Sequence, residues 1–390
     1  GGGVAAIGGA LFFGALPRMI RSGHLRQSWL LGLGLAILTH TRPYEGLVAG
    51  LPAGLWLLVW MLGQNGPARK EALRQILIPL FILMGLTAAG MGYYNWRVTG
   101  NPAELPYLAH ARQYVVMPHF LWQAPGPEPE YRHTLLRRFH VDWELTLYTE
   151  QQSLSGFLSA TLRKIKLLWV FYVGLILSVP LVMVFRLCRD RPLWPALIPC
   201  FLSILSALFL ETWLSPHYLA PIACLFLLIL TSAMQHLSEW QWRGRPLGLA
   251  VVQAIPILLL FSLVIQYDRQ PWLYPQDPIR ERAKLVRRLN ADDSRHLILV
   301  RYGPQHSVHR EWVYNEADID GSKVVWAREM GPMENAALVS YFRDRRIWLL
   351  EIDQDSAPVK LIPYSSSQIG MSVSPFAGRQ EKDGEIAGRL

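Results

Sequence analysis

Charge is scarce in this chain. Asp, Glu, Lys and Arg make up only 17% of its 390 residues, against about a quarter in an ordinary soluble domain. Cysteine is scarcer still. The three are Cys188, Cys200 and Cys224, and none follows position 224, so the C-terminal part cannot be a disulfide scaffold. HExxH, CxxC, P-loop and GxSxG patterns are all missing, which removes the sequence signatures of zincins, zinc ribbons, P-loop NTPases and α/β-hydrolases. There is no internal repeat and no long low-complexity tract. A hydrophobic fraction of 51% and a mean hydropathy of +0.19 exclude a disordered chain, a collagen-like repeat and a coiled coil.

The apolar residues are gathered into runs. Eight candidate membrane segments stand out, at 2–16, 28–41, 44–63, 76–94, 167–185, 193–210, 216–235 and 247–266. The runs 76–94, 167–185 and 247–266 carry no charge and are long enough to cross a hydrocarbon core of roughly 30 Å. Segment 28–41 is short, and Pro43 ends it, because proline disfavours helix in the residue before it. The chain opens inside apolar sequence with no Met and no basic region. It therefore reads as the second half of a membrane helix, in a piece of a longer protein.

The net charge of +9 resembles a nucleic-acid signal until its placement is considered. Loops 17–28, 64–75, 186–192 and 236–246 together hold eleven Lys and Arg residues, whereas 39–45 and 211–217 hold only Arg42. Positive-inside counting puts the four basic loops in the cytoplasm. The long loop 95–166 and the tail after 266 then lie outside. The Arg163, Lys164 and Lys166 cluster runs against this rule, but long loops obey it weakly. Within 133–150, Leu135, Phe139, Trp143 and Leu147 recur every four residues, with Leu136 on the same face. This predicts an amphipathic helix lying on the membrane surface.

The tail changes character. Helices are expected at 278–290 and 332–343, and strands at 296–302, 323–329 and 345–353, which together make a small α/β domain with a partly parallel sheet. The predicted organisation is a polytopic α-helical domain over 1–266, a small α/β domain over 267–365 and a disordered polar tail over 366–390.

Polar chemistry sits in three stretches assigned to the outer side. THTRPYEG at 39–46 carries His40, Arg42, Tyr44 and Glu45 at the end of a short helix. Charge at membrane depth is costly, so these groups either pair, as Arg42 with Glu45, or face an anionic headgroup. ETWLSPHYLAP at 211–221 carries Glu211, His217 and Tyr218, and interfacial anchoring is the plain alternative for Tyr218. The stretch 93–114 carries Arg97, Tyr107, His110 and Arg112, a mixture of aromatic faces for sugars and guanidinium for phosphate. In the tail, Asp318 and Asp320 lie near His306 and His309, but an EF-hand spacing is absent and the Asp-Gly pair reads as a turn.

These motifs, TRPYEG, NWRVTGNP followed by LPY, and SPHYLAP before a membrane helix, resemble the GT-C superfamily of integral-membrane glycosyltransferases. Within it they are most like a bacterial branch related to protein mannosyltransferases and the lipid A aminoarabinose transferase. The resemblance covers roughly 1–266, and the tail looks like that of the same branch. It implies a polyprenyl-phosphate sugar donor, transfer on the outer face of the bacterial cytoplasmic membrane, and an acceptor that is glycan, lipid or protein. It also implies an acidic base or metal ligand in a first outer loop, which would precede residue 1. Glu45 is the candidate within this sequence, and a divalent metal is possible. Arg42, Tyr44, Tyr107, His110, Arg112, His217 and Tyr218 are the expected substrate contacts. Arg42, Arg163, Lys164, Lys166 and His217 are the expected cations for the lipid phosphate. His217 stands where many relatives carry Arg. The competing readings are a transporter or lipid-linked-sugar flippase, and a non-catalytic envelope assembly protein.

Overall fold

The computed structural model describes residues 2–22, 24–267, 278–304, 306–352 and 360–364. The tail 366–390, expected to be disordered, lies outside the described residues. The chain divides into two compact units, Gly1–Pro129 with His140–Ile265 and Glu130–Phe139 with Gln266–Leu390. The expected organisation keeps all of 95–166 with the first unit. Instead, residues 130–139 belong to the second, where Arg138 Nη1 donates to Pro304 O at 3.4 Å and Phe139 packs edge-on against His309 at 5.7 Å.

The first unit is helical. Its main elements are α1 (Gly2–Ser22), α2 (Ser28–Thr41) and α3 (Pro43–Leu62). Next come α4 (Arg69–Thr99) and α5 (Pro106–Tyr114), then α6 (Leu154–Tyr172) and α7 (Gly174–Leu181). The last are α8 (Trp194–Phe209), α9 (Ala223–Ser238) and α10 (Leu247–Tyr267). A 3-10 stretch, Pro216–Ile222, leads into α9. Among the described residues, six helices are long and apolar enough to cross a membrane, or seven if the bent pair α6–α7 counts as one.

Three expectations are corrected. Helix α1 continues past residue 16 to Ser22, through Pro17. Its 21 residues make it a membrane-length helix in its own right. Helix α2 has 14 residues, about 21 Å at 1.5 Å per residue, too short to cross alone. The uncharged run 167–185 is not one straight span: it bends by 92° after Tyr172. Gly174, at φ +58°, supplies a left-handed turn that other residues adopt only with strain, and Pro180 lies in the helix beyond it.

Small residues set how closely the helices approach. A Cβ on Gly34 would come within 2.6 Å of Gly8 O and Phe12 N, and one on Gly9 within 1.9 Å of Pro221 O. Backbones therefore touch where α1 meets α2 and the 3-10 stretch before α9, as is common where helices pack by van der Waals contact. Phe12, Leu16, Met19, Ala49, Ala207 and Ala233 fill the interior. The outward faces are apolar as well: Phe81, Leu62 and Phe185 are among the exposed large side chains, as helices facing lipid require.

The helix expected at 133–150 is observed with an irregularity. Thr134–Arg137 and Leu145–Glu150 are α-helical, and Arg138–Glu144 forms a wider π turn. Trp143, on the predicted apolar face, packs edge-on against Trp213 at 5.2 Å.

The second unit contains α11 (Pro278–Asn290), β1 (Arg295–Tyr302), β2 (Val324–Arg328), α12 (Pro332–Tyr341), β3 (Arg345–Ile352) and β4 (Lys360–Pro363). The strand order is β2-β1-β3-β4. Strand β1 is parallel to both neighbours, with Ile298 opposite Trp326 and Trp348, and β4 is antiparallel to β3. Ile298, Val300 and Leu350 face one core with Trp312 and Trp326, while Leu297, Leu299 and Leu349 face the other with Phe342. Burial on both faces explains why β1 reads as a continuous apolar run rather than an alternating one. The predicted turn is also present, with Asp318 Oδ1 accepting from Gly321 N–H at 2.9 Å.

Candidate functional site

Two stretches singled out in the sequence meet in the first unit. Pro43 prevents helix at Arg42, whose φ of −148° separates α2 from α3. The break aims the guanidinium at the start of the Pro216–Ile222 turn. Arg42 Cζ lies 4.1 Å over the Tyr218 ring, a cation–π contact, and Nη1 pairs with Glu45 Oε1 at 3.3 Å. Among the described residues, Arg42 Nε is buried with no hydrogen-bond acceptor. Tyr44 shares a hydrogen bond with Ser206 Oγ at 2.7 Å and packs against Phe120 at 4.6 Å.

Beside them lies Glu211, in the turn between α8 and the Pro216–Ile222 stretch. Its backbone is held on several sides. Phe120 and Glu211 form an antiparallel bridge, flanked by Leu121 N–H to Leu210 O at 2.9 Å and Thr212 N–H to His119 O at 3.0 Å. Gln151 Nε2 donates to Thr212 O at 3.1 Å. Lys164 Nζ donates to Glu211 O at 2.6 Å, Leu208 O at 3.3 Å and Gln151 Oε1 at 3.1 Å. The Glu211 side chain is 6% exposed, and its Oε2 has no partner among the described residues. Burial pushes its carboxyl up to about 7, with the nearby Glu45 adding to the rise and Lys164 and Arg42 opposing it. A narrow cleft lined by Glu45, Ser203, Ser206, Glu211, Tyr218 and Leu219 has room for about one water molecule. Ser203 Oγ, also buried, has no partner among the described residues.

The other expected residues divide. Lys164 is not available to a phosphate: an ammonium has three protons, and three buried acceptors take them. Its charge caps the carbonyl end of α8, where a cation is favoured. Arg163 points outward and pairs with Glu150 at 2.9 Å, and Lys166 is exposed. His217 is exposed and packs edge-on against Tyr218 at 5.1 Å. Tyr107, His110 and Arg112 lie on α5 in a separate group. Tyr107 meets His119 at 6.1 Å, His110 meets Tyr114 at 5.0 Å and His140 at 6.4 Å, and Arg112 pairs with Glu104 at 3.1 Å. Among the described residues, no hydrogen bond, ion pair or ring contact joins these three to Arg42, Tyr44, Glu45 or Tyr218. One connection runs through chain neighbours, since His119 touches Tyr107 and Phe120 touches Tyr44.

Glu211 was noted in the sequence but not assigned to the site. The signal was there: no other Asp, Glu, Lys or Arg occurs between Arg191 and Glu239. Ser203 and Ser206 carry no such mark in an apolar run. Among the described residues, no three His, Cys, Asp or Glu side chains gather to hold a metal ion. No protein family, curated protein or solved structure matches this chain.

Proposed function

We propose that this chain forms part of a GT-C-like membrane glycosyltransferase, which takes a sugar from a polyprenyl-phosphate carrier and transfers it on the outer face of a bacterial cytoplasmic membrane. The observation that carries this reading is Arg42. Its guanidinium is fixed by Tyr218 and Glu45 at the end of an apolar bundle, yet a buried N–H lacks an acceptor among the described residues. A buried donor of this kind calls for an acceptor, most strongly an anionic one. A lipid phosphate delivers such oxygens at the depth where helices end. The four basic loops favour a cytoplasmic side, which turns the cleft beside Arg42 outward and leaves the second unit extracytoplasmic in this reading.

The chemistry asked of the site is modest. An acceptor hydroxyl displaces phosphate from the sugar C1, and the leaving phosphate needs a cation to hold its charge. The test is sugar transfer or hydrolysis by the purified protein in nanodiscs, given polyprenyl-phosphate-linked mannose, glucose and aminoarabinose. Replacing Arg42 with Ala should lower turnover by about 100-fold or more, the usual cost of one transition-state donor. Arg42→Lys should recover little, because an ammonium lacks the planar fork. Absence of turnover with every donor would refute the reading.

A second reading is a lipid-linked-sugar flippase, favoured by the 92° break between α6 and α7, since interrupted helices mark many transport sites. Flux of the lipid across vesicles without any cleavage would select it.

A further inference from the structure

We infer that Glu211, in place of the acidic residue that the resemblance puts in a preceding outer loop, is the general base of this reaction, and that the acceptor hydroxyl enters the one-water cleft between its carboxylate and Ser203. This rests on the glycosyltransferase reading above. Two carboxylates line the cleft, and they are not equivalent. Glu45, the candidate from sequence, is engaged by Arg42 Nη1 and serves to position that guanidinium. Among the described residues, Glu211 is hydrogen-bonded only through its backbone, where Lys164 and Phe120 hold it. Its Oε2 is buried with lone pairs unused, and Ser203 Oγ on the same cleft is likewise unpartnered among the described residues.

A buried carboxylate oxygen requires a donor, and a serine hydroxyl can donate or accept. A single hydroxyl satisfies both by donating to Glu211 Oε2 and accepting from Ser203. Space for one water oxygen is space for one hydroxyl oxygen, so the cleft fits the reacting end of an acceptor and excludes a second nucleophile. Arg42 lies across the Tyr218 ring, where it serves the leaving group. In the step itself, the acceptor oxygen bonds to C1 as the C1–O bond to phosphate breaks. The electron pair of that bond leaves on the phosphate, whose charge Arg42 meets. The hydroxyl proton passes to Glu211 Oε2 and is lost to water after product departs. The shifted acidity of Glu211 suits this task, because a base acts best when it titrates near the working pH.

The experiment compares wild type, Glu211→Gln, Glu211→Asp and Ser203→Ala in nanodiscs, with polyprenyl-phosphate-mannose, -glucose and -aminoarabinose as donors. Turnover is measured from pH 5 to pH 9. Binding of polyprenyl phosphate alone is followed separately and reports a folded site. E211Q should lose about 100-fold or more in kcat while binding polyprenyl phosphate within twofold of wild type. The acidic limb of the wild-type profile should vanish with it. Glu45, Arg42, Lys164, Tyr44 and Tyr218 also face this carboxyl, and the limb should survive in Glu45→Gln. E211D should retain partial turnover, and S203A should raise the acceptor KM more than it lowers kcat. An E211Q protein that turns over at more than a tenth of the wild-type rate, or keeps the acidic limb, overturns the assignment of Glu211 and leaves the glycosyltransferase reading intact. A wild-type protein inactive with every donor overturns both.

Discussion

At the scale of single residues, the site joins one group that stabilises the fold to one that strains it. Lys164 is the stabiliser. Its ammonium is buried, and three acceptors depend on it. Lys164→Met keeps most of the volume but strands the carbonyls of Leu208 and Glu211. Leaving buried acceptors unsatisfied costs about 1–3 kcal/mol each, so the midpoint of thermal unfolding in detergent should fall clearly. An unchanged midpoint would deny the capping role. Glu211 acts in the opposite sense. Its folded-state value of about 7 lies above the ordinary 4.5, so the fold favours the protonated acid. Below pH 4.5 the group is protonated in both states and contributes nothing. As pH rises from 4.5 to 7 the unfolded chain ionises first, and stability falls. Above pH 7 the cost is complete, at about 3 kcal/mol. Glu211→Gln should abolish that slope and unfold at a higher temperature than wild type at pH 8. A protein that gives up stability at one buried carboxylate fits the general trade between stability and activity. Equal pH dependence in the two proteins would remove the argument.

At the scale of elements, glycine contacts fix the helix spacing that brings Arg42 to Tyr218. Gly9 lies against the carbonyl of Pro221, with no space for a methyl group, and Tyr218 is three residues from that proline. Gly14, on the same helix, has open space at its Cβ position. Gly9→Ala should therefore force α1 away from the 3-10 turn, lowering the unfolding temperature and weakening polyprenyl phosphate binding together. Gly14→Ala should leave both unchanged or slightly improved, because alanine favours helix. Matching effects of the two substitutions would show that the approach is not tight. These contacts also explain what could be read from sequence. Long apolar runs mark helices, and short apolar runs such as HLILVRY mark strands, because burial dictates residue type there. The 92° bend was hidden because an uncharged run looks alike whether straight or folded, and Gly174 reveals its φ only in three dimensions. Strand β4 escaped because four residues at a sheet edge leave little pattern. The site was legible as residue types at Arg42 and Tyr218, since charge in apolar sequence is conspicuous. Its wiring was not: Tyr44 to Ser206, and Lys164 to Glu211, join residues 162 and 47 positions apart, which no local pattern can announce.

At the scale of the helical unit, the contacts sort the loops into two groups. Ser28 Oγ donates to Gln75 O at 2.6 Å, joining the first two basic loops. His236 Nε2 meets Asp190 Oδ2 at 2.8 Å, joining the third to the end of α9. In the other group, Arg42 reaches Tyr218, Leu121 reaches Leu210 and Gln151 reaches Thr212. Between Lys164, beside Glu211, and Asp190, beside His236, the chain passes from one group to the other through the bent pair α6–α7. These contacts thus hold the basic loops apart from the residues of the cleft. Under the proposed function, positive-inside bias turns that separation into an orientation, which a native thiol can test. Cys188 is exposed in the third basic loop, and Gln152 is exposed in the opposite group. A membrane-impermeant maleimide added to intact spheroplasts should leave Cys188 unlabelled until the membrane is opened, whereas a Cys188→Ser, Gln152→Cys protein should label at once. The reverse pattern would turn the cleft toward the cytoplasm, where an outward-facing lipid-linked sugar could not reach Arg42, and the proposed reaction would lose its donor.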